Sequence, residues 1–309
     1  MSEHPPRTIV LATLACVLAA TCWAANAIIA TGAFDRGVPP ERLAEARIVV
    51  ALVPLLAILL VTRRGLLRPP QAAVPWIIGF GACLVAVNFA YYVAIDRVPV
   101  GVAISLQYTA PVLILAGGAI LARSSPPRML WLAGLLTLAG AILVSGALTG
   151  MAGLDPIGVA AGVASALTFC GYLVGASAAG SRGAHPVTTL VNGFVVATLV
   201  WAVVLPVWTW PFHLLADPEV AWRVAAVGIL GTLVPFALTV WALRILSSAL
   251  AGIATTTEPV LAAALAWLLL GQALTTVQLI GGGLVVAGVV IAQLARAPAA
   301  ASVSVEATP

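Results

Sequence analysis

A glutamate and a proline stand where only hydrocarbon belongs. The stretch "TTTEPVLAAALAWLLLG", residues 255–271, carries Glu258 and Pro259 inside an otherwise apolar run. About ten residues into such a helix, at 1.5 Å rise per residue, a side chain lies ~15 Å deep, where a carboxylate costs about 2.5 kcal/mol or more. Two roles justify that cost. Glu258 is a protonated carboxyl bonded to a neighbouring helix, or it is a group at which a proton and a cation compete.

Other polar groups share the setting. Arg47 falls about five residues into an apolar run; it either snorkels to the outer surface or is a fixed positive charge near a cavity mouth. In the second case it pairs with Glu45 or Glu258, or holds a substrate carboxylate. Asn88, Tyr91 and Tyr92 are spaced i, i+3, i+4, which places an amide and two phenols on one helix face. Gln107 and Tyr108 precede Pro111 by one turn, as Thr255 precedes Pro259. Ser165, Thr168 and Tyr172 share a face, and Asn26 and Asn192 are single amides. For Tyr91 and Tyr92 the alternative to cavity lining is an interfacial aromatic belt; for Gln107, Tyr108, Ser165, Thr168, Tyr172, Asn26 and Asn192 it is a hydrogen bond between helices. Gly158 with Gly162, and Gly171 with Gly175, have the small-xxx-small spacing of close helix packing.

The elements that position these groups follow from composition. The 309 residues are 62% hydrophobic and 8% charged, too little polar surface to cover a soluble globule of this size. A lipid bilayer is therefore the solvent. The fourteen basic residues are all arginine and are scattered between apolar runs, which excludes nucleic acid as a partner. Cys16, Cys22, Cys83 and Cys170 lie inside apolar runs without metal or disulfide spacing. No metal and no cofactor is expected. The first run exceeds a signal peptide's apolar core, and is expected to be a permanent helix.

Apolar runs near 8–30, 42–62, 72–95, 99–121, 129–147, 156–177, 186–206, 221–243, 247–270 and 275–294 predict about ten transmembrane helices. The segment "VWTWPFHLLADPE" is the longest break and suits the membrane interface. With an inside N-terminus, nine arginines fall in inside segments and four outside, so both ends are expected to be cytoplasmic.

The opening stretch has an echo. "ISLQYTAPVLILAGG" at 104–118 resembles "GIATTTEPVLAAALA" at 252–266, with Pro111 and Pro259 offset by 148. The same offset places Gly134 and Gly140 on Gly282 and Gly288, and at 146 it places Trp23 on Phe169. The chain therefore reads as a tail (1–7), a five-helix repeat (8–147), a linker (148–155), a second repeat (156–294) and a second tail (295–309). Five is odd, so the copies are inverted in the membrane, an arrangement that serves alternating access. Pro111 and Pro259 each free the carbonyl four residues earlier, at Gln107 and Thr255, and kink the fourth helix of each half.

The stretches "CWAANAI", "AEARIVVAL", "VAISLQYTAPVL" and "ALRILSSALAGIATTTEPVLAAALAWLLLGQALTTVQLIGGGLVVAGV" resemble the EamA-like branch of the drug/metabolite transporter superfamily, over about residues 8–294. One departure is Gly271-Gln272, where members often carry Gly-Glu. The resemblance implies an all-α protein of the bacterial inner membrane, with two inverted five-helix repeats around a central cavity. It further implies export, or less often import, of small metabolites such as amino acids. Apart from the resemblance, the inverted repeat and the deep Glu258 point to a secondary carrier coupled to protons, and a homodimer is left open. Hydrophobic-cation efflux is the alternative, since a deep Glu beside aromatic rings suits a lipophilic cation. A passive channel and an intramembrane enzyme are more remote. The chain is not expected to be an enzyme: His4, His185 and His213 lie outside the runs, and neither a nucleophile elbow nor a phosphate loop is present.

Overall fold

The structure is a computed structural model, and it describes residues 5–98, 100–123, 125–150, 154–270 and 273–295. Gly271 and Gln272 lie outside the described residues, as do most of both tails. Among the described residues every regular element is helical. Hydrocarbon offers backbone groups no partner, so each apolar run must close its hydrogen bonds within itself.

Five spans are single α-helices of 19 residues or more on either side of the central linker: α1 (Pro6–Phe34), α2 (Pro40–Thr62) and α3 (Val74–Arg97) in the first half, α7 (Pro156–Ser181) and α8 (Pro186–Val204) in the second. The tenth span, α13 (Thr276–Leu294), is also continuous. The fourth span is two pieces, α4 (Val100–Gln107) and α5 (Ala110–Ala122). The ninth is likewise split into α11 (Ser248–Thr255) and α12 (Glu258–Leu270). The eighth runs α9 (Pro218–Gly228), a π turn at Ile229–Leu233, then α10 (Val234–Ala242). The fifth, α6 (Arg128–Val144), has 17 residues, near the lower limit for crossing a bilayer. Nine stretches among the described residues are long and apolar enough to cross, and α6 makes the tenth span.

Packing follows the duplication. α3 lies along α7, and its repeat-related counterpart packs α1 against α9 and α10. α6 pairs with α13, each being the last helix of its half. Equivalent glycines set that last distance: a Cβ on Gly140 would lie 2.5 Å from the Gly281 carbonyl oxygen, and one on Gly288 2.7 Å from that of Ala133. The glycines of α7 do the packing their spacing implies. Gly171 meets Cys83 and Gly175 meets Phe80, both on α3, while Gly162 meets Leu106 on α4.

The break between α8 and α9 contains two 3₁₀ turns, Val207–Thr209 and Phe212–Ala216. Trp208 stays 80% exposed there, but Trp210 turns inward and its Nε1–H donates to the Arg42 carbonyl. Asp155 caps α7 by accepting from the Ile157 N–H. That bond, with Arg97 at 3.2 Å, holds the exposed Asp155 carboxyl below the usual range.

Candidate functional site

The two broken spans meet at the centre of the molecule. In span nine, Pro259 has no N–H for the Thr255 carbonyl, and the helix opens at Thr256 and Thr257. The threonine hydroxyls turn back on the same turn: Thr255 and Thr256 donate to the Gly252 carbonyl, Thr257 to that of Ala254. The three hydroxyls are thereby committed to their own turn, on carbonyls that also accept the Thr256 and Thr257 N–H groups. Glu258 follows as the first residue of α12, where the positive end of a helix favours a carboxylate.

Span four opens at Tyr108 and Thr109 by the same mechanism, one turn before Pro111. Here the break presents a phenol. Tyr108 is 3% exposed, and its hydroxyl donates to Glu258 Oε2 at 2.5 Å. The fourth helix of one half thus supplies a donor to the carboxylate at the fourth helix of the other.

A cavity of about 290 Å³ lies beside this contact. Its wall holds Asn26, Arg47, Asn88, Tyr91, Gln107, Tyr108, Tyr172 and Glu258 of the residues singled out in the sequence. Asn192 is elsewhere: its amide donates to the Thr188 and Leu67 carbonyls, within its own helix and to the turn after α2. The side chain of Tyr92 lies outside the described residues. Pro111 and Pro259 are buried behind the wall. Gln107 is oriented by Ser165, whose hydroxyl donates to its Oε1 at 2.9 Å.

Arg47 does not snorkel. It is 6% exposed, because its guanidinium is drawn inward by acceptors on two other spans. Nε donates to Thr232 Oγ1 at 2.7 Å, Nη2 to the Gly231 carbonyl at 2.5 Å, and Nη1 reaches Asn88 Oδ1 at 3.4 Å. Glu45 is not its partner, being paired instead with Arg42 at 2.9 Å. Among the described residues no carboxylate lies within ion-pair distance of Arg47. Glu258 opposes its charge across the cavity but stays beyond ion-pair distance, so a carboxylate that bonds the guanidinium directly would come from a ligand.

Sequence reasoning reached Tyr108 and Tyr172 but not the rings that join them. Trp23, Phe236, Tyr172, Phe169 and Tyr108 form a continuous chain of ring contacts with centroids 5.2–6.2 Å apart. For Trp23 and Phe169 the repeat alignment was the sequence signal, and for Phe236 there was none. The π turn was missed as well, although Pro235 carries the same signal as the other two prolines. It has no N–H to offer the carbonyl of Gly231.

Depth along α1 locates the cavity. Its lining runs from Phe34, at the end of that helix, to Trp23, about three turns further in. Beyond Trp23 the same helix is closed over, with Ala20, Ala19, Cys16 and Ala12 all at 0% exposure. The cavity therefore occupies the half of the membrane on which α1 ends and stops at the plane where the two broken helices meet.

Duplicated five-helix halves, broken fourth helices facing each other, and a one-sided cavity that sets a few polar groups among apolar and aromatic ones define an integral membrane transporter. The family model described as "EamA-like transporter family" matches residues 10–146 and 156–293, and the chain belongs to that family. Its members carry substrates across membranes, so the protein is a transporter and not an enzyme. The threonine/homoserine exporter RhtA of Escherichia coli (strain K12) is 26% identical over 214 residues, covering 67% of each chain. An uncharacterized transporter of a Synechocystis strain is 29% identical over 220 residues, covering 69% of this chain and 65% of its own. A solved crystal structure shares the fold with TM-score 0.74 at 23% identity, covering 92% of this chain and 96% of that one.

Proposed function

We propose that the protein is a secondary active exporter of small zwitterionic metabolites of the amino-acid type, working by proton-coupled alternating access. The observation that carries this reading is the buried Arg47, with no carboxylate in ion-pair distance among the described residues, facing Glu258 across the same cavity. A substrate carboxylate sits at Arg47 and its amino group at Glu258. The volume, about 290 Å³, falls at the small end of the range for ligand pockets, roughly 300–1,000 Å³. It favours a small metabolite over a bulky drug cation. The relatives named as threonine/homoserine exporters support the same direction and chemistry.

The cycle follows from competition for one carboxylate. With the cavity facing the cytoplasm, the substrate's ammonium displaces a proton from Glu258. Rocking of the halves then exposes the site outside, where a proton binds Glu258 and releases the ammonium. One proton enters for each substrate that leaves. Closure needs both halves because Tyr108 and Glu258 belong to different repeats.

The arginine bias supports cytoplasmic ends, and the bacterial relatives support an inner-membrane location. On that orientation the described cavity faces outward. Reporter fusions after Ser125 and at residue 309 should both read cytoplasmic, and one near Gly153 external; a cytoplasmic signal near Gly153 would reverse the assignment.

The functional test is Glu258→Gln in proteoliposomes. It keeps shape and removes charge, so transport driven by a pH gradient should fall at least ~100-fold, about 2.7 kcal/mol, with the thermal melt retained. Exchange between equal substrate pools should fall with it, since the same group holds the amine. Normal gradient-driven transport by Glu258→Gln would leave Glu258 as a helix-to-helix hydrogen bond and end this reading.

A further inference from the structure

Three acceptors hold the Arg47 guanidinium, and two of them come from one irregular turn. Pro235 cannot bond the Gly231 carbonyl, which would otherwise be left without a donor in hydrocarbon. Arg47 Nη2 supplies that donor at 2.5 Å. Next to it, the Thr232 hydroxyl donates to the Val227 carbonyl at 2.8 Å, so its hydrogen is committed and its lone pairs face Arg47 Nε at 2.7 Å. The π turn at Ile229–Leu233 is what brings the carbonyl and the hydroxyl to the same side. From α3, Asn88 is oriented by its own amide bond to the Leu84 carbonyl at 2.7 Å, which turns its Oδ1 toward Nη1.

The consequence is a guanidinium fixed in plane, with three of its five N–H groups engaged. Among the described residues this leaves one N–H on each Nη, enough donors for a carboxylate to take two. Thr232 itself is 0% exposed and lies outside the cavity lining. It cannot touch a substrate, so whatever it does for binding it does through Arg47.

We propose that Thr232, together with the π turn opened by Pro235, is the positioning device that aims Arg47 at a substrate carboxylate, so that discrimination for acids is set from span eight. This inference rests on the reading of Arg47 given above. Thr232 is a positioning residue and not part of the binding surface.

The test compares Thr232→Val, which keeps shape and loses the acceptor, with Thr232→Ser, which keeps it. Each is reconstituted in proteoliposomes, and the probes are an amino acid that the wild type transports and its amide, which retains the ammonium and lacks the carboxylate. Thr232→Val should raise KM for the amino acid about tenfold, as expected for loss of one hydrogen bond to a charged group. It should leave kcat and the competition constant of the amide within about twofold, and Thr232→Ser should behave as wild type. Should Thr232→Val fail to fold, Pro235→Ala decides the matter. Its new N–H competes with Arg47 for Gly231, so the same selective rise supports the proposal and an unchanged KM overturns it. A wild-type KM in Thr232→Val, or an equal loss for acid and amide, also overturns it. Arg47→Gln separates the two levels. If its KM rises while Thr232→Val is normal, only the positioning role fails; if its KM is unchanged, the carboxylate reading falls and this inference with it.

Discussion

Span four and span nine are the same device built twice, yet only one of them carries a charge. Both open one turn before a proline, at Tyr108–Thr109 and at Thr256–Thr257. Their contents differ. Tyr108 corresponds to Thr256, and Glu258 corresponds to Ala110, which is fully buried. In span nine the threonine hydroxyls turn back on their own turn and the glutamate faces the cavity; in span four the phenol reaches across to that glutamate. Duplication accounts for two breaks at one depth, while the chemistry at the breaks differs between the copies. A symmetric scaffold with an asymmetric site lets a single carboxylate be met from both halves.

Graded substitutions sharpen that contrast. Tyr108→Phe removes a bond to a charged acceptor, worth about 1.4 kcal/mol or more, and should cut transport about tenfold. Pro259→Ala restores one backbone bond to the Thr255 carbonyl, worth about 1 kcal/mol, and straightens the helix beside Glu258; a loss of about fivefold is expected. Pro111→Ala should cost less, because no cavity charge adjoins it. Thr256→Val, at the position matching Tyr108, should stay within about twofold, since its hydroxyl serves only its own turn. Initial rates in proteoliposomes rank the four. Equal losses from Tyr108→Phe and Thr256→Val would mean that the two breaks are functionally equivalent, and the contrast would disappear.

Much of this was legible in the residues. The spans follow from apolar runs bounded by arginine and proline, because lipid leaves the backbone no alternative to helix. The repeat was readable from two prolines 148 positions apart, and the breaks from the carbonyls those prolines leave free. The fate of Arg47 was not readable. Its shallow position allowed snorkelling, and what pulls it inward is a carbonyl and a hydroxyl some 185 positions away. Pro235 offered a clue, but nothing local says which donor will satisfy Gly231. Asn192 shows the opposite limit: an amide in an apolar run has the same sequence signature whether it lines a cavity or ties two segments together, as this one does. The aromatic chain from Trp23 to Tyr108 joins five residues from four spans, so no periodicity along one helix announces it.

The central claim is that one cavity holds both ends of a zwitterion, the carboxylate at Arg47 and the amine at Glu258. The most direct measurement is calorimetric binding to the purified wild-type protein of four ligands: an amino acid, its amide, the matching amine and a quaternary ammonium dye. The account predicts that the amino acid binds best and that loss of the carboxylate, in the amide or the amine, weakens binding by about tenfold or more, some 1.4 kcal/mol. The dye should bind more weakly still. If the amine or the dye binds as tightly as the amino acid, Arg47 holds no substrate carboxylate and the cavity is that of a hydrophobic-cation carrier.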